Sequence, residues 1–260
     1  MSLPAGRLLW HQYRYDQKTF WRQPESVFFT VALPLIFLFL FVSIFGNGTI
    51  DVGGHLVKGS TYYVPGIVTL AMVSATVLNL SISMAIARER GRLKRVRSTP
   101  LPPWVFLAGR IGTASGVTAL LVVAVTGLGR LVYGVSVPTN TLGGLALTVL
   151  VGTAAGCALG FALATAIPSE SSAPAVTNAV ILPLYFFSGI FIPSEDIPAT
   201  MRAIGDVFPV KHLFEALLTA FDPRTTGAGI AWADLAVVAA WGLLAAVVAT
   251  RRFRWAPRSG

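Results

Sequence analysis

Residues 131–169 read LVYGVSVPTNTLGGLALTVLVGTAAGCALGFALATAIPS, 39 consecutive positions without an aspartate, glutamate, lysine or arginine. An ionised side chain at the centre of a bilayer costs at least about 2.5 kcal/mol, so a run of this length marks membrane-embedded chain. About 20 helical residues cross the roughly 30 Å of hydrocarbon, so 39 are too many for one crossing. The break is legible at Gly134 to Thr141, GVSVPTNT, where Pro, Asn and Thr cluster as they do in turns, and Arg130 one helical turn earlier can reach a nearby surface. The stretch is therefore a hairpin of two spans.

Working outward, charge-free runs also cover 26–50, 59–87, 111–129, 171–194 and, more briefly, 235–250. These place helices at about 27–46, 63–87, 105–133, 142–167, 174–192 and 230–250. The composition agrees. Mean hydropathy is +0.70 and 12% of residues are charged, against about 25% in soluble domains. The fold expected is an all-α polytopic membrane protein: six transmembrane helices in one domain over 1–260, an N-terminal interfacial helix, and a short re-entrant or helical region between helices 5 and 6. Six spans leave no room for a separate catalytic domain. The 26 polar and aromatic residues before the first apolar run, with no small-residue cleavage pattern after it, argue against a cleaved signal peptide.

The formal charge of +9 would point to nucleic acid in a soluble chain, but in a membrane protein basic residues gather on the cytoplasmic side. With six spans, segments 1–26, 88–110, 168–174 and 251–260 share a side and hold 15 of the 20 basic residues with 4 acids, leaving 5 basic and 7 acidic residues opposite. Both termini are expected in the cytoplasm, and no nucleic-acid partner is expected.

Three non-spanning elements stand out. In residues 5–23, within the 1–26 interface segment, Arg7, His11, Arg14, Lys18 and Arg22 share one helical face and Leu9, Trp10, Tyr13, Phe20 and Trp21 the other, as in a helix lying at the inner membrane surface. Packing on a partner subunit would suit the same pattern, and the two readings are compatible. The loop 88–110 carries seven basic residues. Gly91 interrupts the helix leaving the membrane, and Ser98, Thr99 and Pro100 form a helix start, with a hydroxyl N-cap and proline where its missing N–H is harmless. Such a loop is a rigid lever joined to two spans. On the other side, in the stretch from Pro183 to Phe221, whose later part falls in the outer loop region 193–229, the apolar run breaks at Ser188-Gly189 and meets Pro193, Pro198 and Pro209. Ile197, Met201, Ile204 and Phe208, then Leu213, Leu217 and Phe221, follow helical spacing as short helices capping the outer face.

Catalytic chemistry is missing from the pattern. There is no GxxxxGK(S/T) phosphate loop, no HExxH and no paired carboxylate within a span. His11, His55 and His212 fall in different segments, so no metal site shared among them is expected, and Cys157 is the single cysteine. No acid sits centrally in a span, as ion-coupled carriers require. An energy source must then lie outside the chain, or there is none.

ARERGRLKRVRSTPLPPWVFLAGR at 87–110, FFSGIFIPSEDIP at 186–198 and FPVKH at 208–212 together resemble the membrane subunit of type-2 ABC exporters, nearest to the daunorubicin-resistance type of drug permease. The resemblance implies a coupling loop that docks on a separate ATPase through Glu89, Arg90, Gly91, Leu93, Thr99, Pro100 and Leu101. It implies ATP and Mg on two partner ATPase subunits, no cofactor in this chain, and a second permease, identical or homologous, to complete the path. It places Ser188, Gly189, Pro193, Pro198 and Pro209 in an outer re-entrant motif, and Asn79, Ser83 and Phe187 on the path. The family often has an acid where Lys94 stands, so charge pairing with the ATPase is altered here. The implied cargo is a hydrophobic drug or lipid carried across a bacterial plasma membrane, with a lipid-linked glycan as the alternative. A non-transporting scaffold or passive channel is the reading outside that class.

Overall fold

The computed structural model describes residues 5–45, 48–52, 55–98, 101–135, 139–192 and 198–253. Helix α1 (Ala5–Trp21) leads into a first span made of α2 (Pro24–Val27), a π-helical turn (Phe28–Ala32) and α3 (Leu33–Phe45). A short antiparallel hairpin follows, β1 (Thr49–Val52) with β2 (His55–Lys58), in register Thr49 to Lys58 and Val52 to His55. The alternation that marks a strand is only four residues long here, too short to be read from the sequence.

The second span runs through α4 (Gly59–Val73), a second π turn (Ser74–Leu78) and α5 (Asn79–Glu89). Then come α6 (Arg92–Arg97), the third span α7 (Pro103–Tyr133) and the fourth, α8 (Leu142–Ala166). The predicted hairpin lies between the last two, where Gly134 ends α7 at φ +67°, a left-handed cap that favours glycine. The chain continues with α9 (Ala173–Phe187), α10 (Ala199–Gly205), α11 (Pro209–Phe221) and the last span α12 (Trp232–Arg252). Among the described residues, five helices are long and apolar enough to cross a membrane, and α9 is a shorter apolar one.

The second span is the hub: 72% of its most apolar window is buried within the chain, against 22% for the first and last spans. Gly152, Gly156 and Gly160, one turn apart on α8, let it approach. A Cβ at 156 would stand 2.9 Å from Thr76 Cβ, and one at 160 would stand 3.0 Å from Leu80 Cβ. This is the small-residue spacing by which helices pack in lipid, where apolar burial alone gives no drive. On the other side of α8, a Cβ at Gly242 of α12 would lie 2.8 Å from Ala155 Cβ.

Two expectations change. Helix α9 stops at Phe187 rather than near 192, and its 15 residues reach only about 22 Å at 1.5 Å each, short of a full crossing. Ser188 ends it by folding its hydroxyl back to the Tyr185 carbonyl at 2.7 Å, and Gly189 follows at φ +81°. Nor does α11 cap the bundle from outside. Pro209, Val210, Leu213, Phe214, Leu217 and Phe221 are all buried, and a Cβ at Gly152 would meet Leu213 Cδ1 at 2.6 Å and Met72 Cε at 2.8 Å. The helix packs between spans 2, 4 and 6, with its C-terminal end tied to the head of α8, where the Thr141 hydroxyl donates to the Ala220 carbonyl. Its mixed sequence looked peripheral because only one narrow face remains polar.

Candidate functional site

The residues singled out by the sequence sit at the two ends of the bundle. At the basic end, α5 finishes at Glu89 and the chain turns through Gly91 at φ +68° into α6. Open space surrounds the missing Cβ of Gly91, so the glycine serves backbone geometry rather than packing. Ser98 does not start the return helix as expected: its hydroxyl donates to the Arg95 carbonyl at 2.8 Å and closes α6. The return helix begins at Pro103 after Pro102. Proline still occupies the first turn, three residues later than predicted, because the hydroxyl found carbonyls left open at a helix end. Thr99 and Pro100 lie outside the described residues.

Arg88 governs this end. Its side chain is buried, its Nη1 donates to the Ala164 carbonyl at 2.9 Å and its Nη2 to the Ile167 carbonyl at 2.6 Å. These are carbonyls that the end of α8 leaves without helical partners, and a guanidinium there also meets the negative pole of the helix dipole. Arg88 Nε donates to Glu89 Oε1 at 2.9 Å. Next to it, Arg90 Nε donates to both oxygens of Glu170, at 2.9 and 3.0 Å. The Glu170 carboxyl is held below its usual 4.5, chiefly by the hydrogen bonds from Arg90. The second span and its loop are thus pinned to the end of span 4 and to the turn that begins span 5.

Three of the loop residues singled out by the sequence face the bundle itself. Leu93 is fully buried against Leu80, Met84, Phe106 and Phe161, with Leu101 packed beside them, and the Glu89 side chain is 9% exposed. These three hold the lever onto its own bundle. On α6, Arg92, Lys94 and Arg95 are exposed.

Helix α1 packs along α7 over Gly109, Gly112 and Gly116. A Cβ at these positions would stand 2.5 Å from Gln12 Cγ, 3.2 Å from Tyr13 Cδ2 and 2.9 Å from Gln17 Nε2. The predicted basic face is exposed, but so are Trp10, Tyr15 and Trp21. The helix has a third face, a narrow seam along Gln12, Tyr13, Asp16 and Phe20, which a two-sided pattern did not reveal. Asp16 is buried there, 3.6 Å from Arg110 Nε, and accepts from Gln12 at 2.9 Å. Burial raises its carboxyl above the usual 3.8, against the pull of Arg110 and the Gln12 bond. A cavity of about 60 Å³ lies between α1, span 2 and α7, lined by Asp16, Asn79, Ser83, Arg110 and Thr113 among others. Asn79 and Ser83, two of the three residues expected on a path, therefore share one polar cavity. Phe187 lies apart from it, at the end of α9, where its carbonyl abuts Gly205.

At the opposite end, the Tyr62 hydroxyl donates to the Gly189 carbonyl and Ser188 is buried. Pro198 precedes α10 and Pro209 opens α11, while Pro193 lies outside the described residues. Around the α10–α11 corner, ionisable groups gather that the sequence left unconnected. Lys211 Nζ pairs with Asp206 and lies 3.6 Å from Glu215. His212 Nδ1 is 2.7 Å from Asp234 Oδ1, at the head of α12, and 4.0 Å from Glu215 Oε2. Trp241 Nε1 donates to the Val207 carbonyl at 2.8 Å.

These features define a multi-pass α-helical membrane protein whose basic end forms a stiff lever joined to several spans. The chain belongs to the ABC-2 type transporter family, whose sequence profile matches residues 7–221. It is similar to a protein of Streptomyces coeruleorubidus called daunorubicin resistance ABC transporter permease protein DrrB1, with 29% identity over 73% of this chain and 66% of that one. Just under two thirds of that relative's length is therefore matched. The chain is also similar to the putative transport permease YvfS of Bacillus subtilis, 21% identical over 76% of this chain and 78% of that one. A further relative is the putative transport permease ycf38 of Porphyra purpurea, 24% identical over 76% and 68%.

Proposed function

We propose that this chain is the membrane-spanning half of an ATP-driven exporter for a hydrophobic or amphipathic drug or lipid. It works with a second permease, identical or homologous, and with two separate ATPase subunits that hold ATP and Mg. Both termini and α6 face the cytoplasm of a bacterial cell, as the distribution of basic residues supports.

The observation that carries this reading is the attachment of the loop 88–98. A push on the exposed basic face of α6 passes through the turn at Gly91 to Arg88 and Arg90, which hold the ends of spans 4 and 5. A loop that served only as a topology signal would need no buried guanidinium fork. The same push reaches Asn79 and Ser83 along α5, so the polar cavity can change shape as the lever moves. For transport to have a direction, substrate must interact differently with the two states. Exposed apolar side chains along the spans suit a cargo that partitions into lipid.

Purification of the chain together with the ATPase encoded beside it is the test. A stable complex whose ATP hydrolysis responds to lipophilic compounds is the expected result, and failure to associate with any ATPase would remove the reading. A response to lipid-linked glycans instead would change the cargo and leave the architecture intact.

A further inference from the structure

We propose that His212, Glu215 and Asp234 form a binding site for one divalent transition-metal ion, of the zinc type, which fastens the re-entrant helix α11 to the head of α12. The three ligand atoms lie within 4.8 Å of one another. Nothing in the family resemblance or in the relatives' names assigns such a site.

The tautomer of the histidine carries the argument. His212 Nε2 faces the Asp206 carbonyl at 2.9 Å, and a carbonyl only accepts, so Nε2 keeps its proton. In the neutral ring Nδ1 then presents a lone pair, and it points at Asp234 Oδ1, 2.7 Å away, and toward Glu215 Oε2 at 4.0 Å. Lone pair and carboxylates repel unless a cation sits between them. That cation is either a proton, making imidazolium, or a metal. Metal-bound histidines commonly donate their other ring N–H to a backbone carbonyl, which fixes the ring and raises its basicity, and His212 already does so.

The charge balance favours a dication. The ion-paired groups around the ring are Asp206, Glu215 and Asp234 against Lys211, which leaves two negative charges when His212 is neutral. Lys211 is held by Asp206, so Glu215 and Asp234 remain to serve as ligands. The cluster is also partly buried: the side chains of His212, Asp234 and Glu215 are 15%, 22% and 37% exposed, so excess negative charge there loses part of its hydration. Tetrahedral metal–ligand bonds of about 2.0–2.2 Å hold ligand atoms about 3.3–3.6 Å apart, so closure asks the Glu215 carboxylate to approach by about 1 Å and the His212–Asp234 contact to open from 2.7 Å by less than about 1 Å. On binding, His212 Nδ1 releases its proton to solvent and no bond other than N–H breaks.

Co²⁺ titration of the purified full chain in nanodiscs is the test, read by visible absorption, and it does not depend on export. One Co²⁺ per chain is expected, displaced by Zn²⁺, with affinity reduced at least tenfold in His212→Gln and in Asp234→Asn. Because a proton competes for Nδ1, affinity should also fall as the pH is lowered through the range in which the imidazole protonates. That second measurement needs no variant. No Co²⁺ uptake by the wild-type chain, uptake unchanged in both variants, or affinity indifferent to pH there would each show that His212 is simply an imidazolium ion pair and overturn the proposal.

Discussion

Arg88 and Ala164 lie 76 positions apart in the chain, yet the guanidinium of one donates to the carbonyl of the other at 2.9 Å, inside the protein. The bond joins the basic end of the second span to the same end of the fourth. Arg88→Ala would leave Glu89 and two carbonyls without this donor, and removal of one partner from a buried pair costs about 3 kcal/mol. A lower melting temperature and ATPase activity that no longer responds to cargo are expected. Arg88→Lys keeps the charge but cannot span both carbonyls, so it should recover part of the stability and little of the coupling.

Gly91→Ala tests the turn into α6. No atom blocks the new methyl, so the cost is that of left-handed backbone, about 1 kcal/mol. Gly91→Asn should cost less, since asparagine tolerates this region. Chemical denaturation of both variants, compared with their stimulated ATPase rates, separates a loss of fold from a loss of transmission.

Gly156→Ala would press a methyl into Thr76 at the π turn of span 2. A destabilisation of about 2 kcal/mol is expected from overpacking. Thr76→Ala should be milder alone and should relieve part of the damage in the double variant. A double-mutant cycle with a coupling energy below about 0.5 kcal/mol would refute this contact.

The Arg90–Glu170 pair predicts an acid-sensitive lever. Glu170 has a folded value below the ordinary 4.5, so its contribution is fully present above about pH 4.5 and is lost as the pH falls through the lowered value. Coupling measured across this range should weaken toward acid in the wild type. Glu170→Gln should be weak throughout and show no such step.

Much of the architecture was legible because charge is so costly in lipid. The hairpin at 134–141, the ends of α7, α8 and α12, and the turn at Gly91 followed from where charges, glycines and prolines stand. Burial of α11 was not legible, since Lys211, His212 and Glu215 gave it the pattern of a surface helix, and their partners Asp206 and Asp234 are distant or on another element. Arg88 looked like one member of a basic run, and only its position beside the end of α8 reveals its part. Asp16 was hidden in the same way, because its seam depends on glycines almost a hundred residues further on. The polar cavity shows a different case: only the family resemblance pointed to Asn79 and Ser83, and that the two share a cavity with Asp16 and Arg110 is visible only in the packed structure.

The π turn at Ser74–Leu78 has a bearing on that cavity. An added residue within a helix rotates everything beyond it by about 100° relative to what precedes it. The half of span 2 that carries Tyr62 and lies against Ile190 at Gly66 is therefore aimed independently of the half that carries Asn79 and Ser83. Deleting one residue there would restore a plain α-helix and swing both polar side chains toward a different neighbour, leaving the apolar half in place. Such a turn gives the lineage a dial: single-codon insertions and deletions can re-point the inner wall of the span while the rest of the bundle keeps its packing.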